Sequence, residues 1–401
     1  MNFTIDGDFG SIGFRSNGGS RFLEIPADTA HFLFDKIALK YPELALSNLG
    51  LFQLGSVGRK KKGKLMSLTT PKHILQSRKN GCTWNSKGSV SVDLTDITLC
   101  PVEYMGEQCP DAFWGDCLET IFGEGRKVHD FFGTSEGQEL MMKILKQVYI
   151  GLGNSFFELA WWGQHPLIDS AETNGWYAVS RSEWEDYLDQ QQACAGWMTM
   201  IDDLKAKGEH LNLTVPIYST DVSGKDYTGS AVALIDRVLS NATSEFDNIL
   251  DADSTGLEPI ILVSAGIYDR FVEEMTLQFN CIPASMEYWI NGTTTVGGNR
   301  LVRNALRYKG YIIYKASAFK LFDQITGTVT HRVLVSAPKN FGMIYDIPEL
   351  EQFAGMGLQV TQKLEAPYKG KVYMDTTFKM GTAIADVNAL INASLTLTPT
   401  I

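Results

Sequence analysis

Between Thr134 and Gln164 the apolar residues fall three or four positions apart. Met141, Ile144, Leu145, Val148, Leu152, Phe156, Leu159 and Ala160 line one face, which is the spacing of an amphipathic α-helix. Ser135 and Gln138 have the spacing of a capping box at its start. A continuous helix here, about 30 residues at 1.5 Å each, would run roughly 45 Å. Gly151 and Gly153 predict a bend or break at its middle.

Before this segment the period is different. Val90, Val92, Leu94, Ile97 and Leu99 follow a mainly period-two pattern with one slip, as in a strand with one buried face. "LFQLGSV" and "LMSLTT" flank a basic run, so residues 51–105 read as extended hairpins too poor in large apolar residues to own a core. Residues 1–50 read as an arm rich in Gly and Ser. Ala30, Phe34, Ile37 and Ala38 suggest one short helix in it. Pro110 is a favourable first residue for a helix in "CPDAFWGDCLETIF". "SRSEWEDYLDQQQACAGWMTMIDDLKAKG" reads as one helix ending at Gly208, and "TGSAVALIDRVLSNATSEF" as another. "EPIILVS" predicts a buried strand, "AGIYDRFVEEMTLQF" a helix, and "YKGYIIYKAS" and "HRVLVSAP" further strands. From Gly357 the pattern is β again. The fold class is therefore α+β.

At 401 residues and 44% hydrophobic, the chain can bury a sizeable core. No apolar run reaches the roughly 18 residues of a membrane span, and the N-terminus lacks the features of a signal peptide. The expectation is a protein that stays in the cytoplasm where it is made. A net charge of −11 argues against a protein that coats nucleic acid. The six cysteines lack C-x-x-C spacing, so a zinc site has weak support, and reduced, mostly buried thiols are expected. Trp161, Trp162, Trp176, Trp184 and Trp197 cluster, marking a dense packing centre or an interface.

The candidate chemistry centres on "GSVGRKKKGKL". From Gly58 to Leu65 it is one residue short of a P-loop, with Leu65 where a metal-binding hydroxyl is required. Pro71 also stops a helix from opening cleanly after Lys64. The reading preferred on these grounds is a basic hairpin tip made of Arg59, Lys60, Lys61, Lys62 and Lys64. No G-x-S-x-G, H-E-x-x-H or G-x-G-x-x-G motif occurs, and the six histidines are scattered singly. Asp202 and Asp203 read as part of a solvated helix face. Neither catalytic residues nor a cofactor or metal site is assigned.

The order of arm, long hairpin, long helix, mixed α/β region and closing β segment resembles the major capsid protein of tailed bacteriophages, with its Hong Kong ninety-seven type of fold. "EPIILVSAGIYDRFVEEM" resembles the strand-then-helix unit of that family's axial domain. "LRYKGYIIYKASAF", "HRVLVSAPKNFGMIYDIPE" and "VYMDTTFKMGTAIADVNALI" resemble its later strands. "LCPVEYMGEQCPDAFWGDCLETIF" is most similar to capsid proteins of crAss-like phages.

The resemblance implies an N-terminal arm over 1–50 and an extension loop over 51–105, with the basic residues at its tip contacting a neighbouring subunit. It implies a peripheral domain with a spine helix over 106–164, an axial domain over 165–345, and a closing β segment of the peripheral domain over 346–401. The implied function is a structural subunit that self-assembles, as hexamers and pentamers, into an icosahedral shell. That shell encloses double-stranded DNA without gripping it. Portal, scaffolding and decoration proteins are implied partners, a membrane is not, and the place is the virion, assembled in the host bacterial cytoplasm. Two alternatives stay open: a nucleotide-binding enzyme with a degenerate P-loop at Gly58–Leu65, and a tail or decoration protein.

Overall fold

The structure, a computed structural model, describes residues 13–17, 20–24, 52–56, 62–69, 91–108, 135–174, 179–206, 227, 229–242, 246–247, 250, 257–279, 282, 284–290, 300–327, 329–346, 359–363 and 372–397. The expected arm helix, the helix after Pro110 and the cap at Gly208 lie outside these residues.

The first strands are β1 (Gly13–Asn17), β2 (Ser20–Glu24), β3 (Phe52–Ser56), β4 (Lys62–Thr69), β5 (Ser91–Thr98) and β6 (Cys100–Gln108). Four helices follow: α1 (Ser135–Trp162), α2 (Pro166–Asn174), α3 (Arg181–Gln191) and α4 (Trp197–Ala206). Then come α5 (Ala231–Ser240), β7 (Ile260–Val263), α6 (Ala265–Phe279), β8 (Glu287–Ile290), β9 (Arg300–Tyr308), β10 (Tyr311–Lys315) and α7 (Ser317–Thr326). The chain closes with β11 (Val329–Ser336), β12 (Phe341–Asp346), β13 (Gln359–Lys363), β14 (Val372–Ile384) and β15 (Leu390–Leu397).

The apolar stripe of α1 is buried as its spacing predicts, with Leu145, Phe156, Leu159 and Ala160 all in the core. Of the expected bend or break, the break does not occur: α1 runs as one helix through Gly151 and Gly153. Each glycine costs about 1 kcal/mol relative to alanine, and burial of the stripe exceeds that cost. Gly153 is buried, but a Cβ on Gly151 would meet nothing within 4 Å. Gly151→Ala should therefore stabilise the chain by about 0.5–1 kcal/mol, by restricting the unfolded state. A rise in thermal midpoint measures it, and a fall would show that α1 needs the glycine.

The helix expected over 180–208 is, among the described residues, two helices, α3 and α4, parted by residues 192–196. The physical reason is a close backbone approach. Gly196 N donates to Gly163 O at 2.8 Å, and a Cβ on Gly196 would stand 2.6 Å from Gly163 N. Continuing the helix would destroy this contact.

Two sheets sandwich the helical centre. The six-stranded sheet has the order β15-β11-β7-β10-β9-β8. Its central strand β7, Ile-Ile-Leu-Val, is buried along its whole length because both sheet faces are covered. Ile260, Leu262, Ile312, Tyr314 and Leu334 face the cluster containing α1 and α7. Ile261, Val263, Ile313, Val333 and Val335 face the cluster containing α5 and α6. Glu274 of α6 accepts from Ala231 N and Val232 N at 3.1 and 3.0 Å, capping the first turn of α5. Lys309 and Gly310, both at positive φ, turn β9 tightly into β10.

The seven-stranded sheet has the order β1-β2-β13-β14-β12-β3, with β6 also paired to β14. Residues 379 and 380 of β14 pair with both β12 and β6, so those strands take opposite edges of β14. Residues 372–375 pair with both β13 and β6. Hence β13 and β12 follow one another along one edge of β14, and β6 occupies the other. Met374, Met380 and Ile384 from this sheet enter the same cluster as α1 and the first face of the six-stranded sheet.

The tryptophan cluster is a packing centre at four of its five members; Trp176 lies outside the described residues. Trp161, Trp162, Trp184 and Trp197 are all buried. Trp161 meets Trp197 edge-on at 5.0 Å, and Trp162 stacks on Phe322 of α7 at 3.8 Å. The Trp162 and Trp197 indole N–H groups donate to Ala318 O and Gly342 O, which satisfies the polar edge of each buried ring.

Candidate assembly surface

Strands β4 and β5 form a two-stranded antiparallel ribbon that, among the described residues, pairs with neither sheet. Its register runs from Lys62↔Thr98 to Thr69↔Ser91. One end is rooted in the body. Ile97 and Leu99 are buried against Ile344 and Ala383, and at Gly381 an added Cβ would stand 2.7 Å from Ile97 Cγ2. Glycine there lets the ribbon root lie directly on β14. The chain then passes from β5 into β6, which pairs with β14 from Cys100↔Met380 to Gln108↔Val372.

The period-two pattern read between Val90 and Leu99 thus marks a real strand, and it continues through β6. Cys100, Val102 and Tyr104 are half-buried and pack on the central cluster. Pro101, Glu103, Met105 and Glu107 are exposed on the other face.

The basic residues fall in an unexpected place. Lys62 and Lys64 lie in β4 opposite Thr98 and Asp96, at the rooted end of the ribbon. Arg59, Lys60 and Lys61 lie outside the described residues. The expectation of a hairpin tip is corrected, because β3 does not pair with β4. It pairs in parallel with β12, so the two strands that flank the basic run do not form a hairpin with each other. The P-loop reading also fails its structural test: Lys64 is inside a strand, whereas that loop needs a helix to open at its lysine.

Cys100 and Cys194 form a disulfide across 94 positions. For this pair the expectation of reduced thiols is overturned. The pairing of β6 with β14, and the turn between α3 and α4, bring the two sulfurs together, and neither is visible in local spacing. The bridge ties the strand below the ribbon to the helical layer. Ala195 O accepts from Thr382 Oγ1 at 2.7 Å, which binds the same turn to β14. The other four cysteines lie outside the described residues.

One polar cluster lies inside. His165, just past α1, is 1% exposed, and its Nε2 stands 2.9 Å from Asp202 Oδ2. Its Nδ1 accepts from Leu167 N at 3.3 Å, so the ring is neutral and Nε2–H is the donor to Asp202. Burial lowers the His165 pKa and Arg332 adds to this, while Asp202 and Asp203 oppose it. Arg332 of β11, 2% exposed, has its guanidinium 3.8 Å from Asp202 Oδ1 and over the Trp162 ring. Burial lowers its pKa too, against the pull of Asp202 and Asp323. Asp202, half-buried, therefore turns toward His165 and Arg332, while Asp203 beside it is exposed as expected. Asp202 joins α4 to the end of α1 and to the six-stranded sheet. The sequence gives no signal for this set, because its three members are far apart in the chain.

No protein-family model matches the sequence, and neither does any curated protein. Among solved structures the chain is similar to one in the procapsid of satellite phage P4, a structure that includes the size determination (Sid) protein. The identity is 10%, the match covers 90% of this chain and 89% of that one, and the TM-score is 0.50. It is also similar to a chain in the capsid of Ralstonia phage GP4, at 10% identity over 87% and 88% of the two chains, with a TM-score of 0.41. A chain in the capsid of Myoviridae phage XM1 matches at 10% identity over 89% and 91%, with a TM-score of 0.40. The P4 likeness shows the fold: this chain has the α+β fold of a phage procapsid chain.

Proposed function

We propose that this chain is the major structural subunit of a tailed-phage capsid, and that it acts by self-association rather than catalysis. The observation that carries this reading is the ribbon β4–β5, joined by strand pairing to neither sheet among the described residues, on a fold shared with a procapsid chain. A two-stranded ribbon is marginal alone in water. Contacts with other copies supply the missing burial when a symmetric shell closes. Residues 51–105 are the extension loop, residues 106–164 with α1 as the spine helix belong to the peripheral domain, residues 165–345 form the axial domain, and residues 346–401 close the peripheral domain. The shell is built from hexamers and pentamers in the bacterial cytoplasm and becomes the virion capsid. Its acidic balance leaves packaged DNA free, and portal, scaffolding and decoration proteins complete the particle. Kinship with crAss-like phages rests on the segment around Leu99–Phe122, most of it outside the described residues.

Expression of the full chain, followed by light scattering and negative-stain microscopy, tests the reading. Hexamers, shells or shell-like polymers are expected. A monodisperse monomer at every protein concentration overturns it, and nucleotide binding lost in Lys64→Ala would favour the enzyme instead.

A further inference from the structure

Cys100 is the first residue of β6, just past the root of the ribbon, and its bonded partner Cys194 lies between α3 and α4. The same gap is crossed without the bond. Thr382 Oγ1 donates to Ala195 O, and Met380, the strand partner of Cys100, places its carbonyl oxygen 3.3 Å from Cys194 Sγ. With the bond open, the Cys194 thiol therefore has an acceptor. It also packs in the central cluster as a small apolar group, with Cys100 against that cluster's edge. Opening the bond removes a crosslink and orphans no polar group. Both redox states fit the fold.

The two sulfurs differ in access. Cys194 is 1% exposed, whereas Cys100 is half-buried. A small thiol or disulfide meets Cys100 first, and Cys194 resolves the exchange. The compartment then sets the state. Bacterial cytoplasm keeps thiols reduced, and disulfides persist outside it.

We infer that Cys100 and Cys194 form a redox latch, open as two thiols while the chain assembles in the cell and closed after release. The inference rests on the proposed assembly in the cytoplasm. In closing, the Cys100 thiolate attacks a small disulfide such as oxidised glutathione, and one thiolate leaves. The Cys194 thiolate then attacks Cys100 Sγ in the mixed disulfide and expels the second. The chain gives up two electrons and two protons, and the small disulfide becomes two thiols. The closed bond spans 94 positions and pins the ribbon root to the helical layer, which restricts the unfolded chain and holds the root in place.

The test uses the full chain made in bacterial cytoplasm. N-ethylmaleimide added at lysis, followed by peptide mass spectrometry, should find both Cys100 and Cys194 alkylated. Unblocked protein treated with oxidised glutathione should show the two joined within one chain. Its thermal midpoint should rise by about 3 °C or more, and dithiothreitol should reverse the rise. Cys100→Ser should assemble as the reduced parent does and show no rise. Should that variant fail to accumulate, the parent's own shift decides. A bond already closed at lysis, or a parent midpoint that oxidation leaves unchanged, overturns the inference while the assembly reading stands. A chain that never self-associates overturns the assembly reading, and bond closure and midpoint are still read on the unassembled protein.

Discussion

Gly163→Ala is expected to abolish accumulation of folded protein. A Cβ on Gly163 would overlap Cys194 O and stand 2.8 Å from Leu159 O and 2.9 Å from Leu159 Cδ1. Neither backbone oxygen can yield cheaply. Gly163 O accepts from Gly196 N at 2.8 Å and from Thr199 Oγ1 at 2.6 Å, so moving one backbone tears the seam between α1 and α4. That seam also holds Trp161 against Trp197 and places Cys194 beside Cys100. The cost should exceed about 4 kcal/mol, among the largest for single substitutions. Soluble yield and thermal midpoint measure it against Gly151→Ala, the same change twelve positions earlier in the same helical segment, where the sign is opposite. A Gly163→Ala protein that melts like the parent would show that the two helices do not meet as described.

Asp202→Ala is expected to be the next most damaging change. It leaves the Arg332 guanidinium buried with its near carboxylate gone, and removes the acceptor of the His165 N–H. Removing one partner of a buried pair costs about 3–5 kcal/mol, read as a lower denaturant midpoint at pH 7.5. Asp202→Asn, which keeps an acceptor for His165 but not the charge, should fall between. The pH dependence follows from the sign of the His165 shift. Its pKa is lowered in the folded chain, so below the ordinary histidine value, about 6.5, the unfolded chain binds more protons and stability falls. The loss continues down to the folded pKa. Asp202 opposes the shift, so Asp202→Ala should extend the loss to lower pH, and His165→Gln should remove that component. Equal slopes in all three proteins would disprove the role given to this cluster.

Much of the fold could be read from local pattern. The stripe from Leu145 to Ala160 located α1, "AGIYDRFVEEMTLQF" coincides with α6, and the continuous apolar run Ile260–Val263 marked a strand covered on both faces. These are properties of short windows, where side-chain period and burial are one statement. The errors share a cause. Gly151 and Gly153 carry a local cost that packing outweighs, so α1 runs through them. The stretch 192–196 has no breaker strong enough to be noticed, yet Gly163 meets Gly196 there. The basic run looked like a hairpin tip because its flanks are both extended. Their partners, β12 for β3 and β5 for β4, lie at very different distances along the chain.

The sequence by itself determined the long helix α1, the helix α6 and the buried strand β7 with the faces they bury, the acidic balance and the location of the basic run. Tertiary structure alone decided that Cys100 meets Cys194, that Asp202 turns inward to His165 and Arg332, and that Lys62 and Lys64 sit at the root of the ribbon. The division has a physical reason. Periodicity is set by bonds and neighbours within a few residues, whereas each of these contacts depends on strand pairing and backbone approach between segments remote in sequence.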